Sequence, residues 1–185
     1  MDRNLKARLE GRLGAHLIAP IYQRRDETEV RVAPGSVPEV LTMLHDATDL
    51  RFEILADLAG VDTGTAMQVV YHLWSPITSD WLRVIADGIS RDDPRCPSAT
   101  FLWIGAEWLE REAYDMYGIV FEGNRDLRRI FMPPDYTSFP LRKDFLLPVD
   151  AARSPGGGVR HVERPNVAAN LADDASRGIR RAPVS

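Results

Sequence analysis

Hydrophobic positions along this chain change period several times, and each change marks an element. Leu5, Leu9 and Leu13 recur at four-residue spacing, which predicts a short helix over residues 2–14. From Glu27 to Ala33, Val30 and Val32 alternate with Glu29 and Arg31, the period-two signature of a half-buried strand. Pro34-Gly35 turns the chain. Ser36 and Glu39 then have capping-box spacing: a hydroxyl to accept the third helical amide, and a carboxylate to reach back to the serine N–H. A helix to about Ala47 follows, with Val40, Leu41 and Leu44 inward.

Three strands are predicted next: Arg51–Leu58, Ala66–Trp74 and Trp81–Asp87. Gly60-Val61-Asp62-Thr63-Gly64 links the first two and Ser75–Asp80 the last two. Neither linker can hold a crossover helix, so antiparallel neighbours are expected. In the middle strand Met67, Val69, Tyr71 and Leu73 share one face, and Gln68, Val70, His72 and Trp74 the other. Both faces read as partly covered. Arg91–Pro97 reads as a charged loop, and Ser98 as the cap of a short helical turn through Trp103. A second helix is expected at Ala106–Tyr117, packing Trp108, Leu109, Ala113 and Met116, with Glu107 and Arg111 as an exposed i,i+4 pair. Gly118 stands where a helix ends in a left-handed residue.

The fold class is therefore α+β: a mainly antiparallel sheet flanked by helices, followed by an extended C-terminal segment and a tail. The expected units are 1–118 as the α+β domain, 119–150 as an extended partner-docking segment, and 151–185 as a flexible tail. That last part contains Ser154-Pro155-Gly156-Gly157-Gly158 and few large apolar residues.

Charge sharpens the picture. Residues 1–117 hold 12 basic and 19 acidic side chains, 118–150 five of each, and 151–185 six basic and three acidic. An acidic body argues against nucleic acid as the main partner, because phosphate neutralisation needs a basic face. No apolar run approaches the ~20 residues of a membrane-spanning helix, and the N-terminus lacks the apolar block of a signal peptide. The expectation is a cytoplasmic chain that reaches a membrane through partners only.

Little catalytic chemistry is present. One cysteine, Cys96, cannot form an intrachain disulfide or supply four thiolates to an iron–sulfur cluster, and reads as an incidental loop residue. His16, His45, His72 and His161 have no zinc-site spacing. The glycine triplet lacks the G-x-G-x-x-G pattern of a dinucleotide site. Glu110 and Glu112 point to different helical faces, so they cannot act jointly as acid and base, and a solvated or partner-facing charged helix is the simpler reading. No catalytic, cofactor-binding or metal-ligating residue is expected in this chain.

The stretch Glu110–Phe145 remains, a charged helix running into a proline-punctuated ribbon with two basic clusters. Two readings stand. The ribbon docks on another protein through Leu127, Ile130, Phe131, Leu141 and Phe145 with arginine forks, or it folds back on its own domain. A soluble RNA-binding or adaptor module using the basic clusters is a more distant alternative.

At these residues the chain resembles the C-type subunit of bacterial NADH–quinone oxidoreductase, respiratory complex I. That family includes the mitochondrial 30 kDa subunit and the J-type chloroplast subunit. The matching run is Glu110-Arg111-Glu112-Ala113-Tyr114-Asp115-Met116-Tyr117-Gly118-Ile119, then Phe121-Glu122-Gly123, Asp126-Leu127-Arg128-Arg129-Ile130, and Pro140-Leu141-Arg142-Lys143-Asp144-Phe145. Family members commonly carry Gly-His-Pro-Asp where this chain has Gly123-Asn124-Arg125-Asp126, and Gly-His-Pro where it has Ser138-Phe139-Pro140. The resemblance implies a non-catalytic subunit of the hydrophilic arm at the cytoplasmic face of the inner membrane. Its partners would be other arm subunits, above all the large D-type quinone-site protein. FMN, iron–sulfur clusters, NADH and quinone would be held by those partners. Glu110, Arg111, Glu112 and Asp115 would form intra- and intersubunit ion pairs, and Arg128, Arg129, Arg142 and Lys143 would dock. Gly118, Asp126, Pro140 and Asp144 complete the motif. The resemblance leaves a ferredoxin-linked or hydrogenase-type membrane complex as the nearest alternative.

Overall fold

A computed structural model describes residues 5–24 and 27–145. The expectations for residues 2–4, for 146–150 and for the tail 151–185, including the glycine triplet and His161, lie outside the described residues. The elements run α1 (Leu5–Leu13), β1 (Tyr22–Arg24), β2 (Glu27–Val32), α2 (Val37–Asp46), β3 (Ile54–Asp62), β4 (Met67–Trp74), β5 (Trp81–Ile89), β6 (Arg95–Pro97), α3 (Ala106–Tyr117) and β7 (Val120–Glu122).

The main sheet has five strands in the order β1-β2-β5-β4-β3. As expected, β3, β4 and β5 form an antiparallel run, with Leu58 opposite Tyr71 and Tyr71 opposite Val84. The chain returns to β5 alongside β2 in parallel, pairing Val30 with Val84. The short β1 adds an antiparallel edge. Leu5, Leu9 and Leu13 of α1 and Val37, Val40, Leu41 and Leu44 of α2 join Met67, Val69, Tyr71 and Leu73 in one buried core. Removing such apolar surface from water is the main stabilising term, at roughly 25 cal/mol per Å². The opposite sheet face is covered by this chain's own polar side chains. Arg31 Nη1 reaches Asp87 at 2.9 Å, Gln68 Nε2 donates to Asp87 at 2.8 Å, and Arg83 pairs with Glu27. Their stems lie over the sheet while their charged ends cancel one another.

Several local expectations are corrected. Ser36 has αR backbone angles as the last residue of a 3-10 turn, Pro34–Ser36, and its side chain makes no capping bond. The capping box needs an extended N-cap residue to aim the hydroxyl at the third amide, so here it does not form. The turn between β3 and β4 starts later than expected, because Gly60, Val61 and Asp62 belong to β3. Gly60 is there for space: a Cβ would lie 2.6 Å from Tyr117 Cδ2, so its absence lets α3 pack on the strand. Arg95–Pro97 is a strand rather than a loop, pairing in parallel with β7. That places Cys96 in the core, its Sγ 3.5 Å from the Tyr71 hydroxyl. Burial pushes the Cys96 thiol up to about 12, far from a nucleophile's range.

Candidate docking site

Helix α3 has the ends the sequence predicts, with Gly118 at φ 77° closing it and donating its N–H to Tyr114 O at 2.8 Å. Ala113 is buried and Leu109 packs against the core as expected, but the expectation fails at Trp108 and at the charged positions. Glu110, Arg111 and Asp115 are buried together with Ala106 and Ala113, while Trp108 is 60% exposed. The expected exposed pair of Glu107 with Arg111 is absent because Arg111 is turned inward. A helix can bury three charges only if each finds partners, and each does.

Glu110 is held by donors from two separate loops. Its Oε1 accepts the Ala99 N–H at 2.6 Å, and its Oε2 accepts Ser98 Oγ and Asn124 Nδ2, each at 2.8 Å. Burial lifts its carboxyl above the ordinary range, with these donors pulling the other way. The reading of Glu110 as a solvated helix charge is therefore corrected. Asn124 binds Glu110 and also accepts the Asp126 N–H at 3.0 Å through its Oδ1.

Asp115 gathers the ribbon. Its Oδ2 accepts the N–H groups of Ile130, Phe131 and Met132 at 3.0, 2.6 and 2.9 Å, and its Oδ1 accepts Arg129 Nη1 at 2.6 Å. Burial alone would raise this carboxyl. The three amides and the guanidinium outweigh it and hold it below the usual range. Arg111 works beside it, donating Nε to Arg128 O at 3.1 Å and standing 3.7 Å from Asp126.

A second clasp holds the far end. Asp62, at the close of β3, accepts Arg91 Nη2 at 2.8 Å, Gly64 N–H at 2.7 Å and Lys143 N–H at 2.9 Å. Burial pushes its carboxyl up, but these donors bring it down to about 2. Arg142 donates Nε to Tyr117 O at 2.6 Å and lies 4.8 Å from the centre of the Phe139 ring. Phe139 also packs edge-on to Tyr114 and takes Arg129 over its face at 5.1 Å. The ring closes on Gly118, where a Cβ would fall 2.6 Å from Phe139 Cε2. Phe139 and Asn124 thus both make their contacts inside the chain.

Residues 119–145 therefore lie along their own domain, and Met1–Phe145 forms one compact unit. The motif divides in two. Glu110, Arg111, Asp115, Arg129 and Arg142 spend their charge on internal partners. Glu112, Arg128, Lys143 and Asp144 are exposed, Arg128 pairing with Asp126 at 2.9 Å and Asp144 with Arg91 at 3.1 Å, and Asp126 and Pro140 are half-buried. Of the expected anchors, Leu127 packs against its own core. Phe131 and Leu141 point outward at 59% and 53% exposure. Sequence reasoning missed Asp62 and Arg91, took Ser98 only as a cap, and named Asn124 only as a departure from the family pattern. Local signals exist in the side-chain turns of Asp62 onto Gly64, Asn124 onto Asp126 and Ser98 onto Thr100. The carboxylates they serve are distant in sequence, Glu110 for Ser98 and Asn124, and Asp62 for Arg91.

Among the described residues no group of three His, Cys, Asp or Glu side chains is placed to hold a metal ion. No described helix is long and apolar enough to cross a membrane. Fold and site together define an α+β protein whose buried charges present a shaped ribbon. Residues 30–151 match the family model of the respiratory-chain NADH dehydrogenase 30 kDa subunit. The chain is 42% identical over 153 residues to the C-type subunit of NADH-quinone oxidoreductase from Burkholderia multivorans, covering 76% of this chain and 74% of that protein. It is 48% identical over 97 residues to the corresponding subunit from Chloroherpeton thalassium, covering 52% of this chain and 40% of that one. Among solved structures, a trypsin-resistant fragment of Nqo5 superposes with a TM-score of 0.56 at 30% identity, covering 68% of this chain and all (100%) of the fragment. A chain of an archaeal membrane-bound sulfane sulfur reductase shares the fold, with a TM-score of 0.64 at 22% identity over 86% of this chain and 96% of that one. The chain belongs to the 30 kDa, or C-type, subunit family of NADH-quinone oxidoreductase.

Proposed function

We propose that this chain is a non-catalytic subunit of the hydrophilic arm of a proton-pumping NADH–quinone oxidoreductase. Its work is to dock on the large quinone-site subunit and hold that part of the arm in place during electron transfer from NADH to quinone. FMN, iron–sulfur clusters, NADH and quinone belong to partner subunits in this reading. The chain reaches the cytoplasmic face of the membrane through those partners.

The observation that carries the proposal is the Asp115 clasp. Three ribbon amides and Arg129 converge on one buried carboxylate, and Arg128, Phe131 and Leu141 are left outward. A ribbon shaped before it meets its partner avoids much of the ordering cost of association. Outward arginine and aromatic side chains are the residue types that dominate protein interfaces.

The test is gentle detergent extraction of membranes followed by isolation of the full chain with its companions. Recovery with the NADH-linked quinone reductase supports the proposal. Recovery solely as a monomer, or with a ferredoxin-linked or hydrogenase-type complex, contradicts it.

A further inference from the structure

Helix α3 buries three charged side chains, and one of them lacks an opposite charge. Asp115 has Arg129 at 2.6 Å, and Arg111 has Asp126 at 3.7 Å. Glu110 is wholly buried, yet among the described residues no cation stands within ion-pair distance of it. Its partners are the neutral donors Ala99 N–H, Ser98 Oγ and Asn124 Nδ2. The titratable groups facing it bring no positive charge either. Tyr71 from β4 and Cys96 from β6 both stay neutral, since burial raises the phenol well above its ordinary value and the thiol to about 12. Glu107, one turn back on α3, opposes a second negative charge. A buried carboxylate with hydrogen bonds and no counter-charge is a group that takes up a proton readily.

A route for that proton is built in. Glu110 Oε2 is 2.8 Å from Ser98 Oγ, and Ser98 Oγ is 2.7 Å from Thr100 Oγ1. Ser98 is 5% exposed and Thr100 is half-buried, so the two hydroxyls lead from the core towards the surface. With Glu110 charged, the Thr100 hydroxyl donates to Ser98 and the Ser98 hydroxyl donates to the carboxylate. On uptake, bulk water delivers a proton to Thr100 Oγ1, Thr100 passes its own to Ser98, and Ser98 passes its own to Glu110 Oε2. Both hydroxyls end intact and reversed, with the carboxyl now donating to Ser98. Ser98 Oγ has room for it: the Thr100 N–H at 3.1 Å uses one lone pair and leaves the other free.

The two states differ at Asn124. A charged Oε2 accepts Asn124 Nδ2 at 2.8 Å. A protonated Oε2 that donates to Ser98 is a poor acceptor, and the amide then keeps only its 3.5 Å contact with Glu107 O. The other end of the same amide holds the Asp126 N–H at 3.0 Å, so the turn out of β7 is tied to Glu110 through one side chain. We propose that Glu110 is a buried proton-binding site, served by the Ser98 and Thr100 hydroxyls, whose filling releases Asn124 and loosens the turn from β7 into the ribbon. Burial raises the Glu110 carboxyl above its ordinary 4.5, whereas Asp62 lies at about 2 and Asp115 below the usual range. As pH falls, Glu110 therefore fills first, while both ribbon clasps still hold. Its sign is also opposite to theirs, because charging Glu110 costs stability as pH rises through its folded value. None of this requires the ribbon to dock.

The test uses the full chain with carbon-labelled glutamate side chains, titrated by NMR and by infrared difference spectroscopy. One carboxyl should titrate above 4.5, show a protonated C=O stretch on acidification, and be missing from Glu110→Gln. The Asn124 side-chain amide signal should move with the same midpoint, and protection of the Asp126 N–H should fall at least about tenfold below it. Glu110→Gln, whose Nε2 donates to Ser98 as the protonated acid does, should show the loosened turn at every pH. Should that variant fail to fold, Asn124→Ala tests the same link, since it must loosen the turn at every pH while the carboxyl still titrates. Thr100→Val should slow protonation after a pH jump, followed in the infrared, at least about tenfold with the midpoint little changed. A Glu110 midpoint at or below 4.5, an Asn124 signal that does not follow it, or Thr100→Val protonating at the wild-type rate overturns the proposal.

Discussion

Lys143 donates its backbone N–H to Asp62 Oδ2 at 2.9 Å, closing a loop of 81 residues onto the end of β3. The Lys143 side chain itself is exposed, with no ion-pair partner among the described residues. A buried carboxylate thus fixes the backbone of the last basic cluster, while its charge remains available to a neighbour.

Asp62 sets a pH dependence with a definite sign. Its native value of about 2 lies below the ordinary 3.8, so its stabilisation is complete above pH 4 and is lost as pH falls towards 2. The difference corresponds to about 2 kcal/mol at neutral pH. Asp62→Asn should therefore melt below wild type at pH 7, with the gap shrinking from pH 4 downward. A gap independent of pH would contradict the assignment.

Asp115→Asn should cost about 3 kcal/mol, since Arg129 would then be left without its charged partner in a largely buried site. Urea unfolding of the full chain measures the loss. Limited proteolysis should show new cleavage near Arg128 and Arg129 before the sheet is cut. Asp115 shares the low-side shift of Asp62, so this loss should also shrink in acid.

Gly118→Ala meets two obstacles, a φ of 77° and the Phe139 ring 2.6 Å from the new carbon. It should destabilise by more than about 1 kcal/mol. Adding Phe139→Leu should recover part of this, the steric share, and leave the backbone share. The melting temperatures of the four proteins in the cycle measure the coupling.

Cys96 should resist alkylation by iodoacetamide in the native chain at pH 8 and react fully in denaturant, as followed by intact mass. Its thiol is buried and raised to about 12. Rapid native labelling would contradict the core placement.

Much of the fold was legible because its signals are local. The α3 bounds and Gly118, the antiparallel run β3-β4-β5 and the Leu5-Leu9-Leu13 face follow from spacing within single segments. Strands β1 and β6 were not legible, being three residues each and defined only by partners elsewhere. Trp108 and the charged positions of α3 were misread for a related reason. Hydrophobicity puts Trp108 inside and Glu110, Arg111 and Asp115 outside. The neutralising groups come from Ser98, Ala99, Asn124 and the amides at 130–132. A charge's right to be buried depends on such partners, and no window along the chain contains them. The motif itself was visible in the sequence, but not the split between residues that hold the ribbon and residues it offers.

Docking of the offered residues on a neighbouring subunit is the central claim. Arg128, with its side chain 70% exposed and paired with Asp126 at 2.9 Å on the ribbon itself, and Lys143 can both be reversed while Asp115 and Asp62 keep their donors. The decisive measurement is the amount of this chain recovered in detergent-purified quinone reductase from cells carrying Arg128→Glu and Lys143→Glu. Docking through these side chains predicts at least about a tenfold fall in recovery, with the purified chain melting within about 2 °C of wild type. Full recovery with unchanged reductase activity would contradict it.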